Sequence, residues 1–256
     1  MGLAVLENQV GILCVICMVL LLPAKCAAQG TFTYSSRATY YGSGNSHGNP
    51  SGTCGYGEYG RTVNDGSVTG VSKLYRNATG CGACYQVRCT SSQYCSEEGV
   101  TVVVTDYGEG DNTDFILNPQ AYERLARRGN KGAKELFGRG VISVEYRRVS
   151  CRYPGYNLMI KVHEQSKYPN YLAIVIIYAA GKHDITAVEL CQKNCKHWRG
   201  MHKAFGAVWG MSNEVPSGAI KLRFKVSGKW VESKSDLPAL WKAGVEYDSD
   251  IQLPIN

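Results

Sequence analysis

The sequence predicts a mostly β protein of two domains, a barrel carrying a helical insertion followed by an antiparallel β-sandwich. Three observations carry this reading. In Ile220–Val226 the apolar Ile220, Leu222, Phe224 and Val226 alternate with Lys221, Arg223 and Lys225, the period of two that marks a half-buried strand. The first half is instead built of short β-branched and aromatic runs set between glycines, as strands bounded by turns are. Six of the eight cysteines beyond residue 28 lie between Gln29 and Cys151, so the means of stabilisation changes near Cys151.

Taken in order, residues 38–41, 85–88 and 100–105 read as strands of the first half. Asn118-Pro119 reads as an N-cap with proline in the first turn, and Ala121, Leu125 and Ala126 share a helix face before Gly129 ends it. Residues 141–149 return to strand character. Pro154-Gly155 is a turn signal in a short join, which divides a first domain, 29–155, from a second, 156–256. In the second domain, residues 158–162, 172–178, 185–190 and 220–226 are strands at short spacing, as in a β-sandwich.

The chain has 256 residues, of which 44% are hydrophobic and 19% charged, with a net charge of +7; this excludes a disordered chain, and glycine without a three-residue period excludes collagen. Residues 10–22 form a charge-free run of thirteen followed by Pro23 and small residues. A membrane span needs about 20 apolar residues, so residues 1–28 read as a secretory signal peptide cleaved near Ala28, with a retained signal anchor as the alternative. The segment carries Glu7 and no Lys or Arg before its apolar run, which leaves the positive charge to the amino terminus. The protein is therefore expected outside the cell, without stable membrane association.

Removing residues 1–28 takes away Cys14, Cys17 and Cys26 and leaves Cys54, Cys81, Cys84, Cys89, Cys95, Cys151, Cys191 and Cys195. An even set in an oxidising compartment reads as disulfides. Cys81 and Cys84 also have metal-ligand spacing, but no His lies nearby to complete a tetrahedral zinc site, so no metal and no cofactor are expected. Asn77-Ala78-Thr79 is a glycosylation sequon. After Cys151 there are fourteen Lys+Arg against nine Asp+Glu; a basic sandwich suits acidic polysaccharides, and equally serves solubility. Nucleic acid is not an expected partner, since the chain is exported and carries no DNA-binding motif.

Several motifs recur in order. They are Thr39-Tyr40-Tyr41-Gly42, Gly52-Thr53-Cys54-Gly55-Tyr56-Gly57, the run from Gly80 to Cys89, Thr105-Asp106, and Glu145 to Cys151, then Pro169-Asn170-Tyr171 and the segment from Trp198 to Trp209. In order and spacing they resemble the plant expansins, across essentially the whole chain after residue 28. The resemblance implies a six-stranded double-psi β-barrel like that of family-45 endoglucanases, followed by an immunoglobulin-like β-sandwich that binds carbohydrate. It implies disulfides Cys54–Cys81, Cys84–Cys151 and Cys89–Cys95; a local Cys191–Cys195 bridge lies outside the family pattern. It implies a groove at Thr39, Tyr41 and Asp106, with Tyr40 assigned to packing, and an aromatic surface at Tyr171, Phe205 and Trp198. Trp209 also matches, with a core role as its alternative. Phenylalanine at 205 stands where tryptophan is usual.

One departure bears on chemistry. Inverting endoglucanases need a carboxylic acid to protonate the leaving oxygen and a second carboxylate to activate water. Typical expansins keep the acid; here the match places Ile116 at that position, and isoleucine transfers no proton. The loss points to the expansin-like group, B subgroup. The implied function is a secreted, monomeric cell-wall protein that binds cellulose, xyloglucan or other matrix glycans, with pectin as a partner of the basic sandwich. It would loosen their noncovalent association without hydrolysis. The alternatives are a weak endoglucanase using Asp106, with Asp114 as a substitute partner, and a barwin-like extracellular defence or signalling protein. Asp111 and Asp114 otherwise read as solvated loop carboxylates.

Overall fold

The computed structural model describes residues 31–42, 49–110, 112–192, 197–213 and 215–255. The expected signal peptide, 1–28, lies outside them, as do Asp111 and Cys195. Six strands form a closed barrel: β1 (Tyr34–Tyr40), β2 (Val68–Val71), β3 (Cys84–Cys89), β4 (Val100–Tyr107), β5 (Phe115–Leu117) and β6 (Ile142–Val149), in the order β1-β5-β2-β4-β3-β6. The β1–β5 and β2–β4 pairs are parallel and the other four antiparallel. Ala38, Val68, Val87, Val102, Val104, Phe115, Leu117 and Val144 are fully buried, and they come from all six strands.

Among the described residues three α-helices interrupt the barrel: α1 (Glu58–Thr62), α2 (Pro119–Glu123) and α3 (Asn130–Arg139). Asn118 caps α2 as its sequence indicates, its Oδ1 accepting from the amides of Gln120 and Ala121 at 2.7 and 3.1 Å. The helix stops at Glu123, short of the expected Gly129. The next residues bond sideways instead: Ser96 N donates to Leu125 O at 2.8 Å and Arg127 N to Tyr94 O at 2.7 Å. Gly129, at φ 122°, then precedes α3 rather than closing α2. Sequence reading missed α3 because its apolar face is little more than Leu136 and Phe137, diluted by Gly132 and Gly138.

Nine strands follow in two antiparallel sheets. One orders β10 (Arg199–Gly200), β9 (Ile185–Gln192), β13 (Ile220–Val226) and β14 (Lys229–Glu232); the other orders β11 (His202–Phe205), β12 (Val208–Ser212), β8 (Tyr171–Ile177), β7 (Met159–Val162) and β15 (Glu246–Asp248). Leu158, Ile160, Leu172, Ile174, Leu190, Leu222, Phe224 and Trp241 fill the space between them. Strand β13 alternates buried and half-buried residues throughout, as its sequence requires.

Strand β8 does not alternate. Leu172, Ile174 and Ile176 belong to the sandwich core, while Ala173, Val175 and Ile177, with Val208 of β12, pack into the barrel's hydrophobic cluster. Burying a Val or Ile side chain contributes about 1.5–3 kcal/mol, so this face holds barrel and sandwich together. Backbone bonds reinforce it, with Ala207 N to Cys54 O at 2.8 Å and reciprocal bonds between Cys151 and Gly181 at 2.9 and 3.0 Å. Tyr178, just past β8, packs its ring against Tyr59, Tyr153 and Tyr156.

The disulfides are Cys54–Cys81, Cys84–Cys151 and Cys89–Cys95. Cys81 and Cys84 thus serve different bridges. Cys191 is also disulfide-bonded; Cys195, its expected partner, lies outside the described residues. Gly206 marks the tightest point of the junction: at φ +48°, a Cβ there would come within 2.3 Å of Thr53 O. Gly206→Ala is expected to cost about 1–3 kcal/mol of unfolding free energy, read from urea denaturation; an unchanged midpoint would show that the junction accommodates the methyl.

Candidate functional site

The site begins as a row of residues across four barrel strands. Asp106 of β4 pairs in register with Gly70 of β2, Gly70 with Ile116 of β5, and Ile116 with Thr39 of β1. Phe115 and Leu117 point into the core, so Ile116 points outward. A Cβ at Gly70 would lie 3.8 Å from the Asp106 Cβ, whereas Ile116 Cδ1 reaches to within 2.8 Å of a Cβ built on Gly108. Two strand spacings separate Asp106 from Ile116, about 10 Å between backbones, with side-chain-free Gly70 between them. An inverting carboxylate pair spans roughly 6.5–9.5 Å. Ile116 therefore stands across the groove floor from Asp106, where it can offer only methyl groups.

Asp106 is held firmly. Its Oδ1 accepts from Thr53 N at 2.7 Å, Thr53 Oγ1 at 2.9 Å and Tyr107 N at 2.9 Å; among the described residues its Oδ2 accepts a long bond from Asn49 Nδ2, at 3.4 Å. Oδ2 is thus the oxygen available to a ligand hydroxyl. Gly52 permits this packing, because a Cβ there would lie 2.7 Å from Thr105 O. Burial first, and the charge of Asp106 second, push the Tyr41 phenol up to about 12. Thr39 lies in the row, but its hydroxyl donates to Gly140 O at 3.0 Å. Its methyl faces Gly110, 3.0 Å from a Cβ built there, so Thr39 contributes mainly an apolar surface. Tyr40 is a packing residue, its ring against Tyr122 and Phe137.

Asp114 stands two residues before Ile116 on the same strand path, about 7 Å further along. Its carboxylate accepts from Ser36 Oγ at 2.6 Å and Ser72 Oγ at 3.0 Å, which ties both oxygens to barrel hydroxyls. Sequence reading passed over two neighbours of Asp106: Tyr107 is 44% exposed and packs edge-on to Tyr75 at 5.3 Å. Tyr75 OH lies at 3.5 Å from Thr53 O. Their signal in the sequence was an aromatic directly following Asp106, but only folding brings Tyr75 to it.

The strip continues onto the sandwich. The loop that presents Thr53 to Asp106 also carries Gly55, where a Cβ would lie 2.7 Å from the Phe205 ring. Phe205 is 40% exposed and stands edge-on to His163 at 5.4 Å; burial holds the His163 imidazole below its usual value. His202 pairs with Gly210 and Tyr171 with Ser212, and both side chains approach Gly210. Tyr171, His202 and Phe205 therefore share one sheet face that meets the barrel groove. Trp198 is not on that face, which corrects its expected place in the aromatic surface. It belongs with the other sheet, where Arg223 of β13 lies 4.3 Å from its ring and 4.5 Å from that of Trp230. Outward alternation of β13 carries Arg223, and Trp198 with it, away from Tyr171. Trp209 is a core residue. Asn77 is exposed in a left-handed turn at φ 51°, and the sequon hydroxyl of Thr79 donates to Arg76 O at 2.7 Å.

A family model described as lytic transglycolase matches residues 67–146, and one described as the expansin C-terminal domain matches residues 158–238. An expansin-like B1 protein of Arabidopsis thaliana is 51% identical over 96% of this chain and 99% of its own length. Another, from Oryza sativa subsp. japonica, is 42% identical over 94% and 96%. The chain belongs to the expansin family, in its expansin-like group. Among solved structures, an expansin of Clavibacter michiganensis superposes with a TM-score of 0.64 at 22% identity, covering 87% of this chain and 98% of that one. A mutant of that expansin, in complex with cellohexaose, superposes at 0.63. The fold is thus a double-psi barrel followed by a β-sandwich.

Asp106→Asn removes the charge that raises the Tyr41 pKa. The Tyr41 phenol is expected to titrate lower than in the parent, yet still above 10, since burial is the larger cause. A tyrosinate difference spectrum of variant against parent between pH 9 and 13 reads this. A phenol raised in the folded state supports folding fully below about pH 10 and withdraws that support as pH climbs toward its folded value, so alkaline stability should fall over the same range.

Proposed function

We propose that this chain is a secreted plant cell-wall protein that binds cellulose-type and matrix polysaccharides and alters their noncovalent association without cutting them. Residues 1–28 act as the signal peptide, 29–155 as the barrel domain and 156–256 as the carbohydrate-binding sandwich. The mature protein works as a monomer in the wall, with a glycan at Asn77 and without a metal or cofactor. The observation that carries the proposal is the pairing of Asp106 with Ile116 across Gly70. A carboxylate fixed by three donors can take a sugar hydroxyl on Oδ2, but an opposing isoleucine cannot supply the acid that glycoside cleavage needs. An expansin of the same fold has been solved with cellohexaose, which supports a glucan chain as the ligand class.

The chain lies along the strip from Thr39, Tyr41 and Asp106, past Tyr75 and Tyr107, to Phe205 and Tyr171. Sugar rings expose C–H faces that aromatic rings cover at low entropic cost, while neighbouring polar groups take the hydroxyls. The strip holds a glucan more favourably when that chain has left its neighbours, and so shifts its population without breaking a bond. Trp198 has no part in this contact.

A Tyr171→Ala, Phe205→Ala double variant is expected to lose about 1–3 kcal/mol of binding, about 5- to 150-fold in affinity, for cellohexaose and xyloglucan oligosaccharides measured by calorimetry. Unchanged affinity would remove the sandwich aromatics from the proposal.

A further inference from the structure

The outer face of the four-stranded sheet points away from the barrel, which packs instead against β8 of the other sheet. Its charge is one-sided. Strands β10, β9, β13 and β14 carry Arg199, Lys221, Arg223, Lys225 and Lys229 against Glu189 and Glu232. The five strands of the other sheet carry two lysines and two carboxylates. The basic excess of the sandwich strands therefore lies on this sheet.

Alternation sets Lys221, Arg223 and Lys225 on the outward side of β13, about 7 Å apart. Trp230 of β14 is in register with Lys225, while Trp198 stands just before β10 at the opposite edge of the sheet. Both tryptophans are half-buried rather than core residues. The Arg223 guanidinium lies between them, 4.3 Å from the Trp198 ring and 4.5 Å from that of Trp230, and the Lys225 ammonium is 5.7 Å from the Trp230 ring.

Part of this charge is already matched within the sheet. Glu189 accepts from Arg223 Nε at 2.6 Å and also meets Nη2, and Glu232 pairs with Lys221 at 3.0 Å. A guanidinium has five N–H donors, so Glu189 leaves the Nη1 side of Arg223 for another acceptor. The two rings cover the guanidinium's faces, which hold its in-plane donors in place, and a side chain already ordered loses less freedom when it binds. Among the described residues neither Lys225 nor Lys229 has a carboxylate in ion-pair range.

We infer that this face is a docking surface for a uronic-acid polysaccharide, which sets carboxylates against Arg223 and Lys225 and sugar rings against Trp198 and Trp230. A bare polyanion would meet the cations and gain nothing from the rings; a neutral glucan would meet the rings and leave the cations unmatched. A uronate chain uses both. The surface lies on the sheet opposite Tyr171 and Phe205 and does not rest on the glucan strip, so the two polymers do not compete.

Calorimetric titration of the full mature chain with hexagalacturonate, its methyl ester and a polyphosphate of like charge tests this. Saturable binding is expected for hexagalacturonate, at least tenfold tighter than for the ester or the polyphosphate. It should weaken at least tenfold in Lys225→Glu and at least fivefold in a Trp198→Ala, Trp230→Ala double variant. The Tyr171→Ala, Phe205→Ala double variant should bind hexagalacturonate as the parent does. No saturable binding, equal affinity for the ester, equal affinity for polyphosphate, full affinity in Lys225→Glu, or loss of affinity in the Tyr171, Phe205 variant would each overturn the inference. Full affinity in a tryptophan double variant that circular dichroism shows to be folded would do so too; if that variant fails to fold, the ester and Lys225→Glu arms decide.

Discussion

Burial of strand β8 on both faces couples the barrel to the sandwich. Leu172, Ile174 and Ile176 serve one core, and Ala173, Val175 and Ile177 serve the other. A strand buried on both faces reads as a continuous apolar run, and Tyr-Leu-Ala-Ile-Val-Ile-Ile is one. The consequence is positional. Because β8 cannot leave the barrel without exposing three apolar side chains, the sheet face that carries Tyr171 and Phe205 stays aligned with the groove that carries Asp106. Gly55 and Gly206 let the two backbones approach, and Asp184 bridges them with charge.

Groove chemistry follows from a second constraint, the register across β4, β2, β5 and β1. It sets Asp106, Gly70, Ile116 and Thr39 in one line, and the line is polar at Asp106 and apolar toward β1. The carboxylate is oriented by Thr53 and Tyr107 so firmly that one oxygen is committed to the protein. The other side of the floor offers methyls from Ile116 and Thr39. Such a floor suits a sugar ring lying on its apolar face with a hydroxyl directed at Asp106, and Ile116, across Gly70 from that carboxylate, transfers no proton.

Much of this was legible in the chain before folding. The alternation of β13, the cap at Asn118 and the change in cysteine density at Cys151 each correspond to a structural feature, because each depends on local patterning. What escaped sequence reading depends on distant partners. Helix α3 carries too few apolar residues to announce itself. The commitment of the Thr39 hydroxyl requires Gly140, a hundred residues away, and Tyr75 reaches Tyr107 only through the barrel's closure. Trp198 illustrates the same point in reverse: a matching residue type did not reveal which sheet would carry it, and Arg223 decides that. The basic balance of the second half is also redistributed by folding, since Arg223 pairs with Glu189 and Lys221 with Glu232, while Lys203 turns toward the barrel and donates to Ala78 O.

The most direct measurement is the release of reducing ends from cellohexaose and xyloglucan, followed on the same purified sample that is shown to bind them. Saturable binding with no release above the buffer rate is expected, for the parent and for Asp106→Asn alike. Release by the parent that disappears in Asp106→Asn would contradict it, because some group other than Ile116 would then be supplying the missing proton.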